Sequence, residues 1–253
     1  MKLLVLTGCN GQIGKSIVSK LKDEKWFILG VDVSKESPLA SPNFDYVSGS
    51  VSDRKTWELV FKKLPNLMND QIKHVSLVNN AGIAVFTPSE KRTIDELNNV
   101  MQTNFHGPVY GMTSFFEFFC NSNLSKNIKE VKKSIINIAS IYGNFSPNPG
   151  IYENSERFSS EVYGASKAAL IQATKYFAVR YGKIPISINS LSPGGVRNEV
   201  LQNDKFIKKY SELVPQGRMC EAEEVAEMIN CILKMPIYCT GQNFLLDGGM
   251  SSW

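Results

Sequence analysis

The feature that most narrows the fold is a run of closely spaced glycines joining an apolar segment to an amphipathic one. Residues 3–6 are Leu-Leu-Val-Leu, and Thr7-Gly8-Cys9-Asn10-Gly11-Gln12-Ile13-Gly14 follows at once. From residue 12 to residue 22 the apolar positions recur at helical spacing. Strand, glycine turn and helix in that order let a backbone close on a phosphate, because the first helical N–H groups have no partner of their own and the dipole favours an anion. Glycines alone could serve a tight turn. The strand before and the helix after favour a dinucleotide site lined by Gly8, Asn10, Gly11, Gln12, Ile13 and Gly14. Cys9 is read as a small residue that fits the turn.

The alternation continues along the chain. Short apolar runs at residues 27–33, 75–79, 135–139, 186–191 and 244–246 read as strands, and amphipathic stretches at 54–64, 93–119, 162–181 and 222–234 as helices. This predicts an α/β protein: a single Rossmann-like doubly wound parallel sheet flanked by helices, one domain over residues 1–253. With 43% hydrophobic residues the chain can bury such a core, and the polar residues 121–133 read as a surface loop. The 28 basic and 24 acidic side chains are spread rather than clustered, which argues against a nucleic-acid partner. No apolar run approaches a membrane span or a secretion signal. The five cysteines show no CxxC pair, and His74 and His106 stand in no motif, so no metal is expected and a reduced, cytoplasmic protein is.

Asp32 closes the second apolar run, 18 residues beyond Gly14. An acidic group there accepts hydrogen bonds from the adenosine ribose and repels a 2′-phosphate, so NAD is expected over NADP, although Lys35 follows closely. Tyr163 and Lys167 stand four apart at the start of a helix and share a face. A neighbouring cation favours a phenolate. On spacing alone, a packed tyrosine beside a solvated lysine is the ordinary outcome.

Tyr163-Gly164-Ala165-Ser166-Lys167 resembles the YxxxK motif of the short-chain dehydrogenase/reductase family, and companions appear in the family's order. Asn79-Asn80-Ala81-Gly82 resembles its NNAG turn, Asn104 its helix asparagine, Ser140 its catalytic serine, Pro193-Gly194-Gly195-Val196 its nicotinamide loop, and Leu246-Asp247-Gly248-Gly249 its final segment. The resemblance implies an oxidoreductase acting on CH–OH groups of a small molecule, as a homodimer or homotetramer. It implies Tyr163 as general acid/base, Lys167 lowering its pKa and binding the nicotinamide ribose, Ser140 holding the substrate oxygen, and Asn104 ordering a water. Ser50, Val51, Asn80, Ala81, Gly82, Pro193, Gly194 and Val196 complete the implied cofactor site.

Three departures stand out. Gln12 occupies a place where compact family members usually carry glycine, Ser50 replaces an aspartate that often meets the adenine, and Asn198 replaces a threonine that often meets the carboxamide. The glycine spacing resembles that of sugar-nucleotide epimerases and dehydratases, a rival reading opposed by the chain length. A non-catalytic NAD-responsive binder is the third reading, disfavoured because serine, tyrosine and lysine are all present. Residues 144–161 form an insertion between Ser140 and Tyr163, expected to face a polar, sugar-type substrate through Phe145, Tyr152, Asn144, Asn148 and Arg157, and residues 195–215 are expected to act as a lid. With Ile141-Tyr142-Gly143 and Trp253, the insertion resembles a subgroup linked to bacterial surface-sugar and flagellin modification.

Overall fold

The computed structural model describes residues 1–37, 41–68, 71–120, 124, 129–152 and 158–252. Among these, seven strands form one parallel sheet: β1 (Lys2–Thr7), β2 (Trp26–Asp32), β3 (Phe44–Ser48), β4 (His74–Asn79), β5 (Lys132–Ile138), β6 (Ile186–Pro193) and β7 (Asn243–Leu246). Their spatial order is β3-β2-β1-β4-β5-β6-β7, with Lys2 opposite both Trp26 and His74. The order reverses between β1 and β4. In open parallel sheets the crevice beyond the strand ends at such a reversal is where ligands bind.

Residues of β1 alternate between the two faces. Leu3 and Val5 meet Trp57 of α2 (Arg54–Leu67) and Phe115 and Phe116 of α4 (Gly107–Phe119). Leu4 and Leu6 meet Ile17 and Leu21 of α1 (Gln12–Asp23) and Ile229 and Leu233 of α7 (Ala222–Lys234). Both faces are therefore covered, and β4 is buried at every position. α5 (Glu161–Arg180) packs beside β6, with its N-terminus capped by Ser160.

Four local readings change. The stretch 93–119 is two helices, α3 (Ile94–Met101) and α4, joined by a wide π turn over Gln102–His106. The break precedes Pro108, which has no N–H to continue the ladder. β3 went unrecognised because it is a short edge strand in which only Phe44 and Val47 are buried. Within the expected lid lies α6 (Asp204–Glu212), whose Tyr210 joins Val214, Met219 and the insertion residues Ile151 and Tyr152 in a separate apolar cluster. Of the polar stretch 121–133, Lys132 and Lys133 belong to β5 rather than to a loop. No helix among the described residues is long and apolar enough to cross a membrane.

At the N-terminal end of the strands, remote from the crevice, His74 of the central β4 is buried between two serines. Its Nε2 lies 2.8 Å from Ser134 Oγ and 3.0 Å from Ser76 Oγ, and burial pulls its pKa down to about 3.

Candidate active site

The glycine turn folds as its composition demands. Gly8 has a φ of +65°, and a Cβ there would stand 2.8 Å from the Ala81 Cα. A Cβ on Gly14 would stand 2.1 Å from the Gly8 carbonyl oxygen, so the turn closes on α1 only with glycine at both places. Thr7 and Asn80 stitch the ends of β1 and β4 together. The amides of Asn80 and Ala81 both donate to Thr7 Oγ1 at 3.0 Å, and Asn80 Nδ2 donates to the carbonyls of Thr7 and Gly8 at 3.0 Å.

A cavity of about 510 Å³ opens over this turn, lined by Gly8, Asn10, Gly11, Gln12 and Ile13, by Asp32, by Ser50 and Val51, and by Asn80, Ala81 and Gly82. These are among the cofactor residues expected from the sequence; of the others, Gly14 packs beneath the turn, and Tyr163, Lys167, Pro193, Gly194 and Val196 line a neighbouring cavity. No side chain caps the N-terminus of α1. Its first N–H groups thus face the cavity mouth as anion donors. The Asp32 carboxylate accepts from the amides of Asn10 at 3.0 Å and Ser34 at 3.1 Å, which anchors it at the cavity rim. Donor-rich turn, single carboxylate and apolar Ile13 and Val51 fit a dinucleotide. Ser50 turns to Ser52, Oγ to Oγ at 2.7 Å.

A second cavity, about 340 Å³, shares Ile13, Asn80, Gly82 and Ile83 with the first and reaches Ser140, Tyr163, Lys167, Pro193, Gly194 and Val196. Ser140 ends the β5 crossing and hydrogen-bonds the Tyr163 phenol. Burial pushes that phenol above its ordinary value, and the Ser140 bond pulls against it. Lys167 Nζ donates to the Ile138 carbonyl at 2.8 Å and lies 5.7 Å from the Tyr163 ring centroid. Burial lowers its pKa to about 8. In the protein alone, burial is the largest influence on Tyr163, with the Ser140 bond opposing it and the neighbouring Tyr152 adding to it.

Asn104 sits in the π turn, fully buried. Its Oδ1 accepts from the Ile83 amide at 2.8 Å, while Nδ2 donates to the Ile83 carbonyl at 2.9 Å and to Ser166 Oγ at 3.1 Å. Both amide hydrogens are engaged by protein, and one lone pair of Oδ1 remains for a water.

The family described as Enoyl-(Acyl carrier protein) reductase matches residues 9–251. A solved short-chain dehydrogenase from Leptospira borgpetersenii with bound NAD+ is 31% identical, with a TM-score of 0.86, over 99% of this chain and 92% of that one. The chain belongs to the short-chain dehydrogenase/reductase family. Carbonyl reductase family member 4 of Xenopus laevis is 26% identical over 98% of both chains, and an NADH-dependent L-xylulose reductase of Ambrosiozyma monospora is 24% identical over 99% of this chain and 95% of that one. As a member of this family the protein is an oxidoreductase acting on CH–OH groups.

In this dehydrogenase/reductase the insertion reaches the second cavity through Tyr152, Ser159 and Ser160. Asn144 and Asn148 do not offer hydrogen bonds there as expected. Asn144 donates to the Ser140 carbonyl at 3.3 Å and accepts from Asn243 at 3.0 Å, while Asn148 accepts from the Gly150 amide at 2.9 Å. Phe145 packs edge-on against Tyr142. Residues 153–157, including Arg157, and Trp253 lie outside the described residues. Four aromatic wall residues escaped sequence reasoning: Phe86, Tyr142, Phe206 and Tyr210. Tyr210 also accepts from the Gly195 amide at 2.5 Å, fixing the glycine after Pro193-Gly194. Helix α6, which carries Phe206 and Tyr210, was the missing signal.

Proposed function

We propose that the protein interconverts an alcohol and a carbonyl on a small, polar, sugar-type substrate with NAD. The observation that carries this reading is the convergence of Ser140, Tyr163 and Lys167 on one cavity that opens into the glycine-lined one. NAD, when bound, supplies the hydride chemistry. The chain's own groups handle the proton and the geometry. Tyr163 Oη gives a proton to the nascent alkoxide or takes one from the alcohol, and Ser140 Oγ holds the same oxygen. Lys167 faces the seam between the cavities, where Gly82 leaves room for Nζ; a Cβ on Gly82 would lie 3.3 Å from it. From there it holds the ribose and, in the complex, favours the phenolate that burial alone opposes. Asn104 keeps Ile83 and Ser166 in register and orders a water through its remaining lone pair.

NAD is preferred to NADP because Asp32 stands anchored at the adenosine end, supported by the NAD+ bound to the Leptospira relative. The substrate reading is supported by the aromatic wall of Tyr142, Tyr152 and Phe206, which suits a ring or short polyol, and by the relative named for L-xylulose reduction. A screen of polyols, sugars, sugar phosphates and sugar nucleotides for NADH formation tests the whole. Turnover of a neutral polyol or sugar is expected; turnover confined to sugar nucleotides, or none together with no NADH binding, overturns it.

A further inference from the structure

Gln12 and Asn198 are two departures from the family pattern that lie 186 residues apart, and they meet. Asn198 Nδ2 donates to Gln12 Oε1 at 2.9 Å, and Gln12 Nε2 donates to the Arg197 carbonyl at 2.5 Å. A glycine at position 12 could make neither bond. Gln12 lines the dinucleotide cavity at the first turn of α1 and also lines the adjoining surface hollow with Arg197, Asn198 and Glu199.

The loop it grips is a self-contained unit. Asn198 Oδ1 accepts from the amides of Val200 and Leu201, each at 3.1 Å. Gln202 Oε1 accepts from the Asn198 amide at 2.8 Å, and Gln202 Nε2 donates to the Val196 carbonyl at 3.0 Å. Its base is fixed, since the Arg197 amide donates to the Cys220 carbonyl and the Cys220 amide to the Gly195 carbonyl. Val196 and Gln202 line the substrate cavity. The loop therefore runs from the substrate cavity to the surface hollow beside the glycine turn, and its far side is fastened to that turn by the Gln12 side-chain amide.

We infer that Gln12 is a clasp that retains the dinucleotide: its bonds to Asn198 and the Arg197 carbonyl hold the 196–202 loop against the glycine turn at the mouth of the dinucleotide cavity and must open before the cofactor leaves. The inference rests on the proposed use of a nicotinamide dinucleotide. Gln12 acts here as a positioning residue, through the loop, and the rate it governs is cofactor release rather than proton transfer. Both amides are exposed enough for water to replace their bonds, so the clasp opens reversibly on thermal fluctuation. It slows exchange without blocking it.

Stopped-flow displacement of NADH, and separately of NADPH, from the full chain tests this. Gln12→Ala removes two hydrogen bonds, and release is expected to quicken by roughly tenfold. Asn198→Ala should quicken release in the same direction, and the double variant should add nothing to Gln12→Ala, because the two residues act through one contact. A release rate within twofold of the parent in a Gln12→Ala protein of unchanged thermal stability would overturn the clasp, as would strictly additive effects of the two alanines. If Gln12→Ala does not fold, Asn198→Ala alone decides, on the same criterion. Failure of the parent to bind either cofactor overturns the functional reading and the clasp with it, an outcome distinct from an unchanged rate.

Discussion

Asn104 and Ser166 hydrogen-bond in the interior, Nδ2 to Oγ at 3.1 Å, and Ser166 Oγ in turn donates to the Tyr163 carbonyl at 2.7 Å. The π turn and the first turn of α5 are thereby coupled by a side chain that reaches neither cavity. Ser166→Ala leaves an Asn104 amide hydrogen buried without an acceptor. A stability loss of about 1–3 kcal/mol is expected, with kcat reduced several-fold and NADH affinity kept. Urea titration and steady-state kinetics check this; an unchanged kcat would show that the coupling does not set the Tyr163 position.

Tyr163→Phe deletes the proton carrier while leaving the glycine-lined cavity intact. Turnover should fall by at least a hundredfold, in the range attributed to general acid–base groups, with NADH binding preserved. Lys167→Ala should weaken both turnover and NADH binding, since Nζ stands at the seam between the cavities. Calorimetric binding alongside kinetics separates the two, and retained cofactor affinity in Lys167→Ala would refute its dual role.

Asp32 faces the adenosine end with its carboxylate held by two backbone amides. NADH should bind at least about tenfold more tightly than NADPH, a difference near 1.4 kcal/mol. Asp32→Ser should bring the two affinities together, chiefly by admitting the 2′-phosphate. Equal affinities in the parent chain would refute the role of Asp32 and show that a nearby cation such as Lys35 offsets it.

His74 makes stability depend on pH. Its ordinary pKa of 6.5 is lowered to about 3 by burial, so between those values the unfolded chain binds a proton that the folded chain refuses. Stability is fully present above pH 6.5 and falls as pH drops toward 3, by up to about 5 kcal/mol from this group. Denaturant midpoints compared near neutrality and about two units lower, in parent and His74→Asn, should show a shallower fall in the variant. Parallel slopes would place the acid sensitivity elsewhere.

The parallel sheet was legible because residues 3–7 and 75–79 are apolar runs bounded by turns, the pattern of strands buried on both faces. The glycine turn, Ser140, Tyr163 and Lys167 were legible because each belongs to a short motif whose spacing survives folding. What escaped depends on contacts between distant segments. Tyr210 lies on a nine-residue helix with two lysines in its final turns, and nothing local shows that its hydroxyl meets the Gly195 amide. Asn144 and Asn148 looked available to a substrate, yet a short polar side chain next to a turn is readily captured by nearby backbone. The Gln12–Asn198 bond was invisible for a further reason: each residue was conspicuous by itself, and only the fold shows that they are one feature.

β1 lies between β2 and β4, pairing Lys2 with Trp26 on one side and with His74 on the other. During synthesis its first partner emerges early, whereas its second follows only after β3 and α2 have been made. Until then the nascent sheet carries an open edge of Leu3, Leu4, Val5 and Leu6, all fully buried in the finished protein. Such an edge can recruit a strand from another chain as readily as its own. In refolding from denaturant β1 must likewise find β4 across the intervening β2, β3 and α2, and the yield is expected to decline with chain concentration as intermolecular pairing competes with that non-local docking.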